Sequence, residues 1–389
     1  MRILVVNDCV GNVGGAERYV SEVSHALQRR GFDVHWAFGK RKGEPESAFV
    51  SHALPRDLLE FPWFRRPSLQ PLHQLLGQLR PDVVYIQNVL NPWTVRTLRE
   101  RHRSFRFVHD HRLFCAEGKV FWRSLRACER PFGVGCLWRT CLEGCMGRNP
   151  AWWAANLLLK PLEIQEAKSL EGLVVASGYM KRALCQQGFD PAEILVNPLF
   201  SRFPVSRTLA ERKSLILYVG QLSRRKGVPN LLEHFSAMPQ DLTLELVGEA
   251  PTEEERAAVD AAFGGCKAKD RVSFSGWLEG VELQQAYQRA AMLVMPSLWP
   301  EPFGLAGVEA LSQGTPVVAF GSGGIPEWLL ESGGGVSLPP GDGAGLVSAV
   351  HKLWESPETR RSMGDLGRRY VDAQLSLERH VEQLAALFG

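Results

Sequence analysis

The sequence predicts an α/β chain built from two doubly wound parallel domains in tandem. Three observations carry that prediction. Short continuous apolar runs such as "RILVV", "DVVYI" and "LTLELVG" recur along the chain, and a strand that is apolar on both faces belongs in a parallel sheet covered on both sides. Segments of helical period alternate with those runs, as in successive βαβ units. Near residue 200 the pattern lapses and then begins again, in a chain of 389 residues that has room for two ordinary cores.

In the first half "RILVV" reads as a strand. "GGAERYVSEVSHALQRRG" follows as a helix, with Ala16, Val20, Val23 and Leu27 on one face and Gly31 as its stop. "DVHWAF", "DVVYI", "FRFVH" and "GLVVAS" read as further strands. Residues 197–214 lose all periodicity and hold two prolines, so they read as the linker. The second half then gives the strand "SLILYVG", the helix "VPNLLEHFSAM", the strand "LTLELVG", the helix "TEEERAAVDAAFGG", the strand "RVSFSG", the helix "VELQQAYQRA" and the strand "AMLVMPS". The expected domains are 1–197 and 198–370. Residues 371–389 form a closing segment whose helix, "SLERHVEQLAALF", is able to pack on either domain.

Apolar residues make up 45% and charged residues 22%, the balance of a soluble globular chain. No apolar run is long enough to span a membrane, and the start "MRILVVNDC" turns polar too early for a secretory leader, so the default address is cytoplasmic. The net charge of +3 hides an asymmetry: residues 1–200 carry 27 Lys and Arg against 19 Asp and Glu. A basic first half suits an anionic partner, and an arginine-rich solvated surface gives the same count.

One stretch stands out chemically. In "SLWPEPFGLAGVEALSQGTPVVAFGSGGIPE" the carboxylates Glu301 and Glu309 flank a glycine-bearing segment. Pro302 suits a first helical position, so the helix is expected to start near Phe303. The amides of Phe303, Gly304 and Leu305 would then face a phosphate at the positive end of the helix dipole. Gly304, Ala306 and Gly307 would keep side chains out of a ligand's way, Glu309 would accept from vicinal hydroxyls, and Glu301 would accept from a sugar. The plainer reading makes Glu301 a helix-start charge and Glu309 a solvated side chain. Lys226, at the strand–loop–helix junction "GQLSRRKG", is placed to neutralise a diphosphate. "NVGGAE" after the first strand has the form of a phosphate-approach loop, although a tight turn explains it equally.

These pieces together resemble the large family of retaining glycosyltransferases that use nucleotide-sugar donors, the family 4 type with paired glutamates. The resemblance runs through "VGGAERYV", "PDVVYIQN", "FVHDHRLFC", "VVASGYMKRAL", "YVGQLSRRKGV", "LELVGE", "VSFSGWL" and "EPFGLAGVEALSQGTPVVAFGSGGIPE". It implies the GT-B fold, two Rossmann-like domains facing across a cleft, with an acceptor-side first domain and a nucleotide-sugar-binding second. The last helix commonly crosses back to the first domain. It also implies site roles. Glu309 binds the donor ribose and Glu301 lies beside the transferred sugar. Phe303, Gly304 and Leu305 present amides, and Lys226 pairs with the diphosphate. Gly276, Trp277 and Leu278 lie by the nucleobase, and Gly14 and Gly15 approach the phosphates and the acceptor. His109 borders the reacting sugar, with His111 as competitor. The family commonly has an arginine where this chain has Gln221, which leaves Arg224 or Arg225 to supply the second cation.

The activity implied is transfer of a hexose-type sugar from a UDP-, GDP- or ADP-linked donor to a glycan or lipid-linked acceptor, with retention and without a catalytic metal. A sugar-nucleotide epimerase or another enzyme on this fold is the alternative, and a zinc-containing nucleic-acid binder is a more distant one. Neither the acceptor nor the oligomeric state is legible. Five of the eight cysteines, Cys115, Cys128, Cys136, Cys141 and Cys145, fall in an insertion at about 115–145. Any four suit a structural zinc, while an iron–sulfur cluster or reduced thiols fit the same spacing. "NPAWWAANLLLKPLEIQEAKSL" and "FPWFRR" read either as buried segments or as a peripheral contact with the inner face of a membrane.

Overall fold

The computed structural model describes residues 1–11, 15–41, 49–61, 66–115, 128, 130–143, 145, 150–206 and 212–389. The chain divides into two compact units. One holds the described residues up to Asn197 together with Glu378–Gly389, and the other holds those of Pro198–Leu377.

The first unit is built on seven strands: β1 (Arg2–Val10), β2 (Asp33–Arg41), β3 (Val50–Ala53), β4 (Val83–Ile86), β5 (Arg103–Val108), β6 (Gly172–Val175) and β7 (Ile194–Val196). Their order is β3-β2-β1-β4-β5-β6-β7, with every pairing parallel. The second unit has six: β8 (Leu215–Val219), β9 (Thr243–Val247), β10 (Val272–Gly276), β11 (Met292–Met295), β12 (Val317–Phe320) and β13 (Gly335–Leu338). Their order is β10-β9-β8-β11-β12-β13, again parallel throughout. In each sheet the order reverses beside the unit's first strand, at β1/β4 and at β8/β11. Ligands of open parallel sheets bind at such switch points, outside the carboxyl ends of the strands.

The apolar runs explain the central strands. β4, β6, β11 and β12 are buried at every residue, and each fully buried Val, Leu or Ile contributes about 1.5–3 kcal/mol against exposure. Three strands had no signal in the sequence. β3 is a half-exposed edge, β7 has three residues, and β13 reads GVSL with every position partly buried. Edge strands covered on one side need no continuous apolar run.

The closing helix Leu377–Phe388 belongs to the first unit, where it buries His380, Val381, Leu384 and Phe388. The Phe388 ring sits 5.1 Å from that of Tyr85 and 5.5 Å from that of Phe105, and Arg103 donates to the Phe388 carbonyl at 2.9 Å.

Candidate functional site

Loops at the carboxyl ends of β8 and β11 meet across the switch point of the second unit. Gly220 leaves β8 at φ +150, and the loop ends at Gly227, whose φ of +76 precedes the helix Val228–Phe235. A Cβ on Gly227 would lie 1.8 Å from the Pro296 carbonyl oxygen, so only glycine lets the two loops close on one another. The amides of Leu298 and Trp299 both donate to the Arg225 carbonyl at 2.9 Å. This stitching brings Lys226 Nζ to 2.6 Å from Glu301 Oε1 and 4.5 Å above the Trp299 ring. Glu301 is buried and Lys226 keeps about a quarter of its side chain in contact with solvent.

The helix beyond Glu301 departs from expectation. It spans Leu305–Ser312, and Gly304 caps it in the left-handed region at φ +89. Phe303 is buried, with its carbonyl accepting from the Trp328 indole at 2.6 Å. Pro302 therefore lies two residues before the cap, and of the three amides expected in the first turn only that of Leu305 is helical. Gly307 has a packing role: a Cβ there would lie 2.2 Å from the Trp328 ring.

Glu309 is not solvated. It is 1% exposed, and the Arg202 guanidinium holds both of its oxygens, with Nη2 at 3.1 Å from Oε2. The Tyr287 hydroxyl donates to Oε2 at 2.8 Å. Burial, then the adjacent carboxylate, raises the Tyr287 pKa, so its proton stays on the phenol.

Further loops complete this edge. The Gly248 amide donates to the Gly276 carbonyl at 2.7 Å, and a Cβ on Gly248 would sit 1.9 Å from the Gly220 oxygen. Three glycines thus keep the ends of β8, β9 and β10 open to a close approach. Trp277 is 55% exposed and Leu278 partly buried. Gln221 is exposed, and its carbonyl accepts from the Tyr218 hydroxyl at 2.7 Å. The Arg224 amide donates to Glu255 at 2.7 Å and its guanidinium to Glu254 at 2.9 Å.

In the first unit His109 follows β5, its Nε2 2.7 Å from Gln87 Oε1. Burial pushes its pKa down to about 3, with Asp110 opposing and Arg112 and Arg106 assisting. Part of the residue reaches the surface, and with its pKa so depressed the imidazole is neutral near pH 7. His111 is fully buried, its Nε2 3.0 Å from the Tyr179 hydroxyl. Gly15 opens the helix Gly15–Arg29 with open space around its Cα, whereas Gly14 lies outside the described residues. A cavity of about 130 Å³ at the end of β1 is lined by Asn7, Cys9, Gly11, Glu17, Trp36 and Phe38 among others.

Among the described residues no group of three or more Cys, His, Asp or Glu is arranged to hold a metal. Cys115, Cys128, Cys136 and Cys145 are among the described residues, each partly buried and none in a disulfide. The Cys141 side chain and residues 116–127, 129 and 144 of the insertion lie outside the described residues. The helix Pro150–Lys168 buries one face, with Ala155, Leu159, Lys160, Glu163 and Ala167 on it, and leaves Leu158 65% exposed. Lys160 is buried at 2.5 Å from Glu163, and Trp152 packs on Phe61 at 4.8 Å. Residues 62–65 of "FPWFRR" lie outside the described residues.

The sequence carried no signal for Arg202 or Tyr287, whose partner is more than twenty residues away in each case. Trp299 was legible only as a neighbour of Glu301.

Two parallel sheets, each with its order reversed beside its first strand, define a tandem Rossmann-like α/β protein. Residues 201–370 match the family described as Glycosyl transferases group 1, and residues 13–199 that described as Glycosyltransferase Family 4. The chain belongs to this glycosyltransferase family. It is 36% identical over 229 residues to glycogen synthase of Mycobacterium tuberculosis, a match covering 54% of this chain and 52% of that protein. Sucrose-phosphate synthase from Thermosynechococcus elongatus superposes with a TM-score of 0.74 at 21% identity, covering 100% of this chain and 98% of the other. The Anabaena protein HepE in complex with UDP-glucose does so at 0.73 and 17%, covering 100% and 99%. These likenesses show the GT-B fold. The chain spans only about a third to a half of the length of curated relatives such as the sulfoquinovosyl transferase of Arabidopsis thaliana and the glycogen synthase. Among the described residues no helix is long and apolar enough to cross a membrane.

Proposed function

We propose that the chain transfers a hexose-type sugar from a nucleoside-diphosphate sugar to a glycan or lipid-linked acceptor, with retention at the anomeric carbon. The observation that carries this reading is the Lys226–Glu301 pair at the switch point of the second sheet, with Glu309 beyond it on the next helix. Retaining sugar transfer breaks the bond between the anomeric carbon and the diphosphate, and negative charge grows on the leaving oxygen. A cation fixed beforehand near that oxygen stabilises the transition state more than the ground state. Lys226 is that cation, and Glu301 orients its ammonium and accepts from the sugar hydroxyls. Glu309 accepts from the ribose and shares its carboxylate with Arg202. The amide of Leu305, with those of Phe303 and Gly304 just before the helix, faces the phosphates. Gly276, Trp277 and Leu278 border the base, while Gln221 and Arg225 line the phosphate side. His109, neutral, borders the reacting sugar, and Gly15 opens the loop on the acceptor side. No step in this scheme uses a metal.

UDP-, GDP- and ADP-linked sugars are the donor candidates, and the UDP-glucose bound to the HepE protein supports testing UDP first. The test is a donor-hydrolysis and transfer screen over those three classes. One class that turns over with retained anomeric configuration is the expected result. Inverted product, or no turnover of any class, would contradict the reading.

The acceptor side includes a peripheral membrane contact. Val134, Trp138 and Leu142 are 76%, 74% and 69% exposed beside the partly buried Arg139, a combination suited to an anionic lipid surface. Flotation with anionic liposomes is expected, and protein that stays in solution would count against it.

A further inference from the structure

A line of buried polar groups runs through the first unit from the closing helix to His109. His380 Nε2 lies 2.9 Å from the Tyr19 hydroxyl, which lies 2.8 Å from the Tyr85 hydroxyl. Tyr19 and His380 are 5% and 2% exposed and Tyr85 is 1%. Gln87 stands between this trio and His109. Its Oε1 is 2.7 Å from His109 Nε2, while its buried Nε2 has no hydrogen-bond partner among the described residues, and the residue stands two positions along the chain from Tyr85. At the far end Asn197 holds the backbone of the closing helix, donating to the His380 carbonyl at 3.0 Å.

Each hydroxyl has one proton, so the direction of donation along such a line is shared by all its members. We propose that His380, Tyr19 and Tyr85 are positioning residues that set the tautomer of His109. In this arrangement Tyr19 donates to His380 Nε2 and Tyr85 donates to Tyr19. The Gln87 amide turns its nitrogen to Tyr85, and its oxygen receives the Nε2 proton of His109. His109 is thereby held as the Nε2–H form, and Nδ1 carries the lone pair. Reversing the line turns the Gln87 amide over and places the proton on Nδ1 instead. The stake in catalysis rests on the reading that His109 borders the reacting sugar, and the tautomer itself does not.

The experiment uses the full chain with ¹⁵N-labelled histidine. Imidazole NMR reports the tautomer, and the His109 signal is identified by its loss in His109→Gln. Wild type is expected to show Nε2–H at His109. Tyr19→Phe removes the central hydroxyl and His380→Phe the terminal acceptor. Both are expected to shift His109 measurably toward Nδ1–H and to lower kcat about tenfold or more with donor KM unchanged. His380→Gln offers an accepting oxygen in place of Nε2 and is expected to restore both the tautomer and kcat to within about twofold. Tyr85→Phe is a second break in the line should either Phe variant fail to fold. A His109 tautomer unmoved in Tyr19→Phe and His380→Phe, or not restored by His380→Gln, would overturn the proposal. A tautomer that shifts while kcat stays constant would uphold the line and remove His109 from the reaction.

Discussion

Replacing Lys226 with alanine separates chemistry from architecture, because the two effects differ in size. Its ammonium is 2.6 Å from Glu301 and 4.5 Å from the centre of the Trp299 ring. At an effective dielectric constant near 20, two unit charges about 4 Å apart interact by about 4 kcal/mol. A preorganised group aimed at developing charge is worth about 3–4 kcal/mol in the barrier, so Lys226→Ala is expected to slow turnover about 10²–10³-fold. The structural cost is smaller. Glu301 loses its partner while 8% exposed, but Lys226 is 23% exposed and water enters where it leaves. That places the loss below the ~3 kcal/mol of a fully buried pair, at about 1–2 kcal/mol, including the lost contact with Trp299. The assays are steady-state transfer with the donor found active and urea unfolding of the same preparation. A variant that loses stability yet retains kcat within about threefold would refute the reasoning and leave Lys226 as a structural counter-ion of Glu301.

Arg202→Met takes the guanidinium from a carboxylate that is 1% exposed and leaves Tyr287 as its side-chain donor among the described residues. A loss of about 2 kcal/mol is expected in chemical denaturation, and no change would mean that Glu309 finds another cation. Gly227→Ala drives a Cβ to 1.8 Å from the Pro296 oxygen at a φ of +76. It is expected to cost more than about 3 kcal/mol and to lower the thermal midpoint sharply, and near-native stability would refute the closeness of the two loops. His109 titrates at about 3 in the folded chain against about 6.5 when unfolded. The unfolded state therefore takes up the proton first. This contribution is fully present above pH 6.5 and is lost progressively as pH falls toward 3. Between pH 7 and pH 5 wild type is expected to lose up to about 2 kcal/mol more stability than His109→Gln, and parallel profiles would contradict the enclosed, neutral imidazole.

The alternation of apolar runs with helical segments made the tandem α/β architecture legible, because strands buried on both faces must be apolar throughout. β3, β7 and β13 escaped, since edge strands do not carry that requirement. At the site, the junction positions of Lys226 and Glu301 could each be read from the sequence, but their ion pair could not, because it depends on β8 and β11 being neighbours in the sheet. Nor could the helix start. Pro302 suits a first helical turn, yet the left-handed Gly304 and the Phe303–Trp328 hydrogen bond move the start to Leu305. Glu309 looked like either a ribose ligand or a solvated charge, and its burial excludes the second. Arg202 and Tyr287 come from the linker and from another helix, at separations no local pattern encodes. The path from Tyr19 to His380 spans 361 positions and is visible only once the closing helix has docked.

The central claim is that the second unit grips a nucleoside diphosphate through Lys226 and Glu309. Calorimetric titration of the full chain with UDP, GDP and ADP, repeated on Glu309→Gln, tests it most directly. One nucleotide is expected to bind at micromolar affinity, and Glu309→Gln to weaken it about tenfold, the loss of a charge-assisted hydrogen bond to the ribose. Failure of all three nucleotides to bind wild type, or equal affinity in Glu309→Gln, would contradict the account.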